Sequence, residues 1–344
     1  MQIHQIRLTP KSSIASFPAS DTLFGAICWG MKRMYDESTL IEILKDFQES
    51  PKFVLSSAFP YIEDNGNSIP FYPRPITSGV STSDIEEMAK TKKEKVDVIT
   101  DYKKFKKTEY VSLSILEQMS NGATEKMIFQ DYYNRTVKLE GKMLMAEKEW
   151  TDSLKLLYKN EHVQKNSIDR LTMSTGEEGQ TFYQTECFTS PIFKLHFLIK
   201  TNGIDFFRPI FRYLEDKGIG GNRSTGKGRF GIDVLGEVSI GDSNSLNFIT
   251  LSRYIPDVSE IELNSNAMFY EIFPYRSKVD SEAEFKGEDI WKSRIMYLRE
   301  GSCFEARKRK EFYGRLPVVK EIDGQKIYQN GMAFPVFGNF GGAK

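Results

Sequence analysis

Residues 218–231 read GIGGNRSTGKGRFG, and this glycine-rich stretch decides how the rest of the chain is interpreted. Six of its fourteen residues are glycine, so few Cβ atoms shield the backbone and main-chain N–H groups can approach a ligand closely. Arg223, Lys227 and Arg229 add positive charge. The composition indicates a loop that binds an anion, such as a phosphate or a phosphodiester backbone. The alternative is a surface loop with a glycine helix cap, although such a cap requires only one glycine.

Two nucleotide-binding motifs come close to this stretch, and both fail. Residues 221–227 fit the first seven positions of the P-loop pattern, but Gly228 stands where a magnesium-binding Ser or Thr is required. A P-loop also leads from a strand into a helix, whereas here a predicted helix precedes the loop and a strand follows it. The dinucleotide fingerprint GxGxxG fails because Arg223 stands at its third glycine.

The elements around the loop predict a ferredoxin-like domain. The helix before the loop has Asp205 as a possible N-cap, Pro209 in its first turn and Gly218 as its C-cap. The first helix of the chain begins at Ser20 or Asp21. Strands are predicted over 2–8, 53–59, 192–200 and 229–240. If the middle of the chain is set aside, the order is strand, helix, strand, strand, helix, strand.

The first helix contains two glycines that need an explanation. Gly25 and Gly30 each cost about 1 kcal/mol relative to alanine inside a helix. We therefore expect a strand or a ligand backbone to pack very close to these positions.

Composition limits the classes of protein that the chain can represent. Its 344 residues suggest two domains, and 47 basic against 47 acidic residues leave no global footprint for a nucleic acid, so such a surface must be local. The three cysteines show no metal-binding spacing, and no signal peptide or membrane-spanning run is recognisable. We expect a soluble, cytoplasmic protein without a metal or cofactor.

The middle of the chain, residues 78–189, differs in composition and is interpreted as an insertion. Lys103, Lys104, Lys106 and Lys107 alternate with aromatic residues, which suits a nucleic acid because ammonium groups meet phosphates and rings stack on bases. An exposed lysine-rich helix explains the pattern equally well. After residue 241, short strands and a helix predict a second, smaller α+β domain over 242–344.

In its helix-to-strand context, GIGGNRSTGKGRF resembles the glycine-rich loop of the RAMP superfamily, the ferredoxin-like RNA-binding proteins of CRISPR effector complexes. Three further stretches, SDTLFGA at 20–26, SSAFPY at 56–61 with YPRP at 72–75, and NSIDRLT at 166–172, resemble the fourth Csm subunit of type III-A complexes. The resemblance covers most of residues 1–240 and, more weakly, the remainder.

This resemblance implies an α+β fold of two ferredoxin-like (RRM-like, RAMP) domains with a long insertion in the first. It implies a non-catalytic, Cas5-like subunit that holds the 5′ handle of the crRNA and contacts the large polymerase-like subunit and the neighbouring backbone RAMP subunit. The insertion would carry a thumb-like hairpin that wedges into the RNA, with 103–116 as the candidate segment.

The residues expected to contact RNA come from the loop, from the family-like stretches and from the basic insertion. Backbone N–H groups of the loop would fix the RNA register, and Arg223 and Lys227 would neutralise phosphates. The full set is Gly218, Gly220, Gly221, Asn222, Arg223, Ser224, Thr225, Gly226, Lys227, Gly228, Ser20, Asp21, Arg74, Lys103, Lys104, Lys106, Lys107 and Arg170.

An enzymatic alternative remains, because some RAMP relatives cut precursor RNA without a metal by using His, Tyr or Lys as general acid and base. His4 and His196 lie in predicted strands and are interpreted as structural. His162 lies in a basic region and is the one candidate for such a metal-independent endoribonuclease. No acidic residue matches the target-cutting aspartate of the backbone subunit, so we expect no catalytic residue.

Overall fold

The computed structural model describes residues 1–168, 171–175, 181–241, 244–280, 289–322 and 324–340. Its helices are α1 (Ser20–Met34), α2 (Glu37–Lys45), α3 (Thr82–Met88), α4 (Lys92–Phe105), α5 (Leu113–Ser120), α6 (Glu125–Tyr133) and α7 (Arg208–Lys217). Short 3₁₀ turns cover Glu147–Glu149, Asp152–Leu154, Ile204–Phe207 and Arg223–Thr225.

The strands up to the loop and just after it are β1 (Gln2–Pro10), β2 (Phe53–Leu55), β3 (Phe59–Asp64), β4 (Asn67–Pro73), β5 (Tyr110–Ser112), β6 (Val137–Glu140), β7 (Met143–Ala146), β8 (Tyr158–Asn166), β9 (Thr181–Thr189), β10 (Phe193–Thr201) and β11 (Phe230–Glu237). Those of the C-terminal part are β12 (Asn247–Thr250), β13 (Ile272–Tyr275), β14 (Ile295–Leu298), β15 (Cys303–Glu305), β16 (Tyr313–Arg315), β17 (Val318–Ile322), β18 (Gln325–Tyr328), β19 (Gly331–Ala333) and β20 (Pro335–Phe337).

The central sheet has the strand order that the sequence predicts. Its core runs β11-β1-β10-β3, with β2 also paired to β10, and β1 is antiparallel to both of its neighbours. The second ferredoxin strand is therefore split in two, whereas the first, third and fourth strands are β1, β10 and β11. Helices α1 and α7 cover one face, so the predicted α+β, ferredoxin-like arrangement is confirmed.

Both faces of this sheet are packed against other elements at its centre. Phe197 of β10 packs into the cluster formed with α1 and α7, whereas its neighbour Leu198 packs into a second cluster on the opposite face. That second cluster contains Val98 of α4 and Ile249 of β12, so the insertion and the C-terminal part together cover the face. RRM domains stack bases on an open sheet face, whereas here the centre of that face is covered and only an ion-paired strip of Glu63, Arg7 and Asp233 toward β11 is partly exposed among the described residues.

The start of α1 and the split strand differ from the expectation. The N-cap of α1 is Ala19, so Ser20 and Asp21 lie inside the first turn. Pro60 does not end the second strand but lies within β3, opposite Leu195. The ladder breaks earlier, because the Ser57 N–H leaves it and donates to Leu251 O in the C-terminal part at 2.8 Å.

Helices α1 and α7 pack very closely at one of the two glycines. A Cβ on Gly30 would lie 2.5 Å from Ile210 Cγ2, so the predicted close approach exists there, but the partner is helix α7 and not the predicted strand or ligand backbone. A Cβ on Gly25 would meet no atom within 4 Å, so the same prediction is wrong for Gly25. Helix α7 has Pro209 at its start and ends at Gly218, as predicted, although a 3₁₀ turn precedes it and its N-cap is Phe207 and not Asp205.

The insertion contributes both helices and strands. Strand β4 precedes the insertion and continues the central sheet, strands β5, β7 and β6 of the insertion extend it further, and the helices pack against its second face. The segment 103–116 is not a hairpin, as expected above, but the end of α4, strand β5 and the start of α5. The reason is tertiary packing, since Phe105 is buried in the second cluster and ties the end of α4 to it.

The insertion nevertheless contains a long hairpin. Strands β8 and β9 pair antiparallel over nine positions, from Tyr158 opposite Thr189 to Asn166 opposite Thr181. Most of its side chains are exposed. This β8–β9 hairpin is the element with the shape expected of a thumb.

The C-terminal part is built from short antiparallel strands around a third cluster of buried aromatic residues. Between 244 and 340, the residues that the structure describes include no helix, so the helix predicted there is wrong. Within the same described ranges of the whole chain, no helix is long and apolar enough to cross a membrane.

His196 makes the stability of the fold depend on pH. Its Nε2 donates to Phe71 O at 2.8 Å, and its Nδ1 accepts from Gln5 Nε2 at 3.1 Å, which requires the neutral ring. Complete burial outweighs the bond to Phe71 and lowers the pKa of His196 from 6.5 to about 4. The unfolded chain therefore binds this proton first as the pH falls.

We expect the free energy of unfolding to fall by about 3 kcal/mol between pH 7 and pH 4 through this residue, with full stability above the unfolded pKa. Urea denaturation at each pH gives the free energy of unfolding of the wild type and of His196→Gln. The wild-type value should fall more steeply as the pH is lowered. An equally steep fall in both proteins over pH 6.5 to 4 would assign the loss to other groups.

Candidate nucleic-acid interface

The glycine-rich loop connects α7 to β11 and has a closed base. The Ile219 N–H donates to Gly228 O at 2.8 Å, and a Cβ on Gly228 would lie 2.2 Å from Ile219 O. Gly228 also has a φ of +66°, in the left-handed region. No other residue type fits this position without displacing the backbone opposite it, so glycine here has a definite structural reason.

The tip of the loop presents a run of unused backbone donors. The N–H groups of Thr225, Gly226 and Lys227 donate to carbonyls within the loop. In the ranges that the structure describes, no partner is found for the N–H groups of residues 220–224. Residues 221, 222, 224, 225 and 226 are exposed. Consecutive unpaired N–H groups in an exposed glycine-rich turn are the chemistry that binds an anion.

The two cations predicted to neutralise phosphates are already paired within the chain. Arg223 Nη2 forms an ion pair with Asp280 Oδ2, and Lys227 Nζ lies 2.6 Å from Glu186 Oε2. The structure therefore does not favour a direct phosphate role for either side chain. Arg229 is exposed at the end of the loop, and Lys11 is exposed on the adjoining segment, so these two supply the accessible charge.

Glu186 is the buried centre of an ion cluster beside the loop. Its Oε2 accepts from Ser13 Oγ at 2.7 Å as well as from Lys227, and its Oε1 lies 2.8 Å from Lys165 Nζ. Burial alone would raise the pKa of Glu186, but the bonds from Lys165, Lys227 and Ser13 outweigh it and lower the pKa to about 2. Sequence reasoning missed this residue, because its partners are distant in the chain and no local pattern marks it.

The β8–β9 hairpin exposes an apolar surface where its strands end. Tyr183 is 69% exposed and Phe182 is 49% exposed, and Ile168, Leu171 and Met173 of the connecting segment are also exposed. We call these five residues the apolar tip. His162 is exposed on β8, and its Nδ1 lies 3.1 Å from Thr185 Oγ1. Arg170, a predicted RNA contact, lies outside the described residues.

Ser20 and Asp21 are buried and bind the C-terminal part, so the structure does not place them to contact RNA. Ser20 Oγ accepts from the Arg253 N–H at 3.0 Å. Asp21 pairs with Arg253 Nη1 at 3.0 Å and accepts from Gln329 Nε2 at 2.8 Å. Their positions early in the chain gave no hint of partners more than 200 residues away.

Two of the other predicted residues, Arg74 and Lys106, line a cleft between the insertion and the C-terminal part. The cleft has a volume of about 680 Å³ and is lined by Arg74 and Lys106 together with Tyr102, Arg253 and Arg299. Arg74 is largely buried and pairs with Glu125 at 3.2 Å, whereas Lys103, Lys104, Lys106 and Lys107 are exposed at the end of α4. The glycine-rich loop does not line this cleft, so the predicted residues form two separate groups.

Among the described residues, neither group contains a set of side chains suited to bind a metal ion. In the part of the chain that the structure describes, no set of three or more His, Cys, Asp or Glu side chains could hold a metal ion. The groups available to bind a ligand are backbone N–H donors, exposed cationic side chains and exposed aromatic rings.

The glycine-rich loop lies between the second helix and the fourth strand of a ferredoxin-like sheet, which is the arrangement of the RAMP proteins that the sequence resembles. No family model matches the chain, but a similar curated protein and similar solved structures are found. The chain is 24% identical, over 258 residues, to a curated protein of Thermococcus onnurineus (strain NA1) described as "CRISPR system Cms protein Csm4". The match covers 73% of this chain and 74% of that protein.

Solved structures extend the similarity over the full length. A Csm3–Csm4 subcomplex of the type III-A interference complex contains a chain that matches with a TM-score of 0.63 and 18% identity, covering 97% of this chain and 98% of that one. A Csm1–Csm4 cassette in complex with cA4 matches with a TM-score of 0.60 and 16% identity, covering 100% of both chains. These matches confirm the resemblance to the fourth Csm subunit, Csm4, of type III-A complexes, and they support a subunit of a Csm complex.

Proposed function

We propose that the chain is the non-catalytic RNA-binding subunit of a type III-A Csm complex that caps and holds the 5′ handle of the crRNA. It docks the large polymerase-like subunit and the neighbouring backbone RAMP subunit. The similar solved structures, a Csm1–Csm4 cassette and a Csm3–Csm4 subcomplex, support these two partners. The proposed location is the prokaryotic cytoplasm.

The observation that carries the proposal is the run of N–H groups over residues 220–224 that have no partner among the described residues, beside a hairpin with an apolar tip. Because the centre of each sheet face is packed against other elements, the exposed loop is the surface that we assign to the RNA backbone. The N–H groups hold phosphates and set the register, Arg229 and Lys11 supply charge, and the apolar tip inserts between unstacked bases.

The partition between charge and stacking is testable with two substitutions in the full-length protein. Arg229→Ala removes an accessible cation, so the slope of log affinity against log salt should flatten by about 0.7, the value for one phosphate contact on a single strand. Tyr183→Ala removes a ring and should weaken binding by about tenfold with the slope unchanged. Filter binding at several salt concentrations, with the RNA recovered from the co-expressed complex, measures both effects.

Two controls of matched chemistry accompany these variants. Arg212→Ala removes an exposed arginine on α7, and Ile41→Ala removes an exposed apolar side chain on α2. Neither should change the affinity or the salt slope. An affinity that Arg229→Ala and Tyr183→Ala both leave at the wild-type value would contradict the assignment of the interface.

We also propose that the chain does not cut RNA. His162 is the one residue considered for catalysis, and its ring bonds to the Thr185 hydroxyl on an exposed strand. Purified protein incubated in EDTA with repeat-containing precursor RNA should yield no discrete product. A product that His162→Ala abolishes would establish a metal-independent endoribonuclease instead. Sequencing of RNA copurified with a co-expressed complex tests the handle itself.

A further inference from the structure

A short segment of the chain, residues 11–14, lies between the glycine-rich loop and the β8–β9 hairpin and bonds to both. On the loop side, the Gly228 N–H donates to Ser13 O at 3.2 Å and the Lys11 N–H donates to Arg229 O at 2.8 Å. On the hairpin side, Ile14 and Cys187 exchange two backbone bonds of 2.8 and 3.1 Å. The two proposed RNA-contacting elements therefore share one backbone support.

Glu186 adds side-chain bonds across the same junction. It is the hairpin residue next to Cys187, only 2% exposed, and its carboxylate contacts Lys227 of the loop and Ser13 of the segment at once. Lys227 Nζ also donates to Ser13 Oγ at 2.8 Å, which closes a ring of three side chains from three distant parts of the sequence. Lys165, on the opposite hairpin strand, holds the second carboxylate oxygen.

We propose that Glu186 is a positioning residue that fixes the β8–β9 hairpin relative to the glycine-rich loop, so that the two elements grip RNA as one rigid unit. The RNA part of this inference rests on the proposed function. Lys227 then acts through Glu186 and not on a phosphate. A hairpin held only by backbone bonds at its base would change its orientation relative to the loop. The distance between the apolar tip and the phosphates held by the loop would then vary.

The first test measures the position of the hairpin without RNA. Spin labels are placed on Gln164→Cys in β8 and Asp216→Cys in α7, both exposed positions. Cys28 is only partly buried, so both labelled proteins carry Cys28→Ser. Cys187 and Cys303 are buried, and burial raises the pKa of both thiols and keeps them protonated, so they do not compete for the label. Glu186→Gln should broaden the distance distribution between the labels, and an unchanged distribution would overturn the positioning role.

The matched control is Glu161→Gln. Glu161 lies opposite Glu186 in the hairpin, but it is exposed, and its one ion pair among the described residues is with Lys159 at 2.9 Å. Removing its charge leaves the loop and segment contacts intact, so the distance distribution should remain narrow. If Glu186→Gln does not fold, Lys227→Gln breaks the same ring from the loop side, where the side chain is more exposed, and should broaden the distribution in the same way.

The second test asks whether the coupling reaches the RNA. Glu186→Gln should weaken RNA binding by about 2- to 30-fold, the usual range for a residue that modulates a coupled site, with the salt slope unchanged. Tyr183→Ala should then cost less than about threefold in the Glu186→Gln background, against about tenfold in the wild type. Equal losses from Tyr183→Ala in both backgrounds would refute the coupling.

The two tests separate the failure of this inference from that of the proposed function. A wild-type protein that binds no RNA but whose hairpin loosens in Glu186→Gln would retain the positioning role and lose the proposed function. A wild-type protein that binds RNA while the hairpin stays rigid in Glu186→Gln would do the reverse.

Discussion

Replacing Gly228 with alanine is expected to lower the free energy of unfolding by about 4 kcal/mol and to remove RNA binding by the loop. The new Cβ would lie 2.2 Å from Ile219 O, which is a backbone atom and cannot rotate away. Relieving the overlap breaks the bond from Ile219 N to Gly228 O that closes the base of the loop. The left-handed φ adds a cost of its own, about 1–2 kcal/mol for a residue with a Cβ.

The control for this variant is Gly66→Ala. Gly66 also has a positive φ, of +83°, but a Cβ there would meet no atom within 4 Å. Its cost should be about 1–2 kcal/mol, from the backbone conformation alone. Urea denaturation compares the two variants, and filter binding below the transition shows whether folded Gly228→Ala protein still holds RNA. Equal destabilisation by the two substitutions would show that the closed base of the loop is not what Gly228 maintains.

The sequence predicts the strand order and the place of the loop because both depend on short-range patterns. Alternation marks β1, Pro209 marks the start of α7, and Gly218 marks its end. The sequence predicts a hairpin at 103–116, whereas the long hairpin of the structure is β8–β9. The prediction is wrong because lysines and aromatic residues at 103–110 suit an exposed ribbon as well as the amphipathic end of a helix. Only tertiary packing decides this, since Phe105 is drawn into a core built from other segments.

The candidate site shows the same limit more sharply. The exposed backbone of the loop follows from its glycines, and the sequence predicts it. The partners of Lys227 do not follow, because Glu186 and Ser13 are 41 and 214 residues away from it. A charged residue in a motif can serve a ligand or an internal ion pair, and its type alone does not distinguish the two roles.

Asp21 illustrates this point, because the loss of its internal ion pair is expected to have a large effect on the free energy of unfolding. Its side chain is 3% exposed and is held by Arg253 and Gln329 of the C-terminal part, so it joins the two halves of the chain. Arg253 is itself enclosed by rings, with its guanidinium 4.6 Å from the centre of Tyr275. A buried carboxylate that loses its cation is left without adequate compensation, and the penalty exceeds that of any exposed pair.

We therefore expect Arg253→Met to lower the free energy of unfolding by about 3–5 kcal/mol. The control Arg299→Met breaks the exposed pair with Glu271, in which both side chains are more than half exposed, and should cost less than about 1 kcal/mol. Asp21→Asn combined with Arg253→Met removes both charges and should recover part of the loss, because the penalty comes from the unpaired carboxylate and not from the missing contact. Additive losses in the double variant, measured by urea denaturation, would mean that Asp21 and Arg253 stabilise the chain independently and that Asp21 is free for another role.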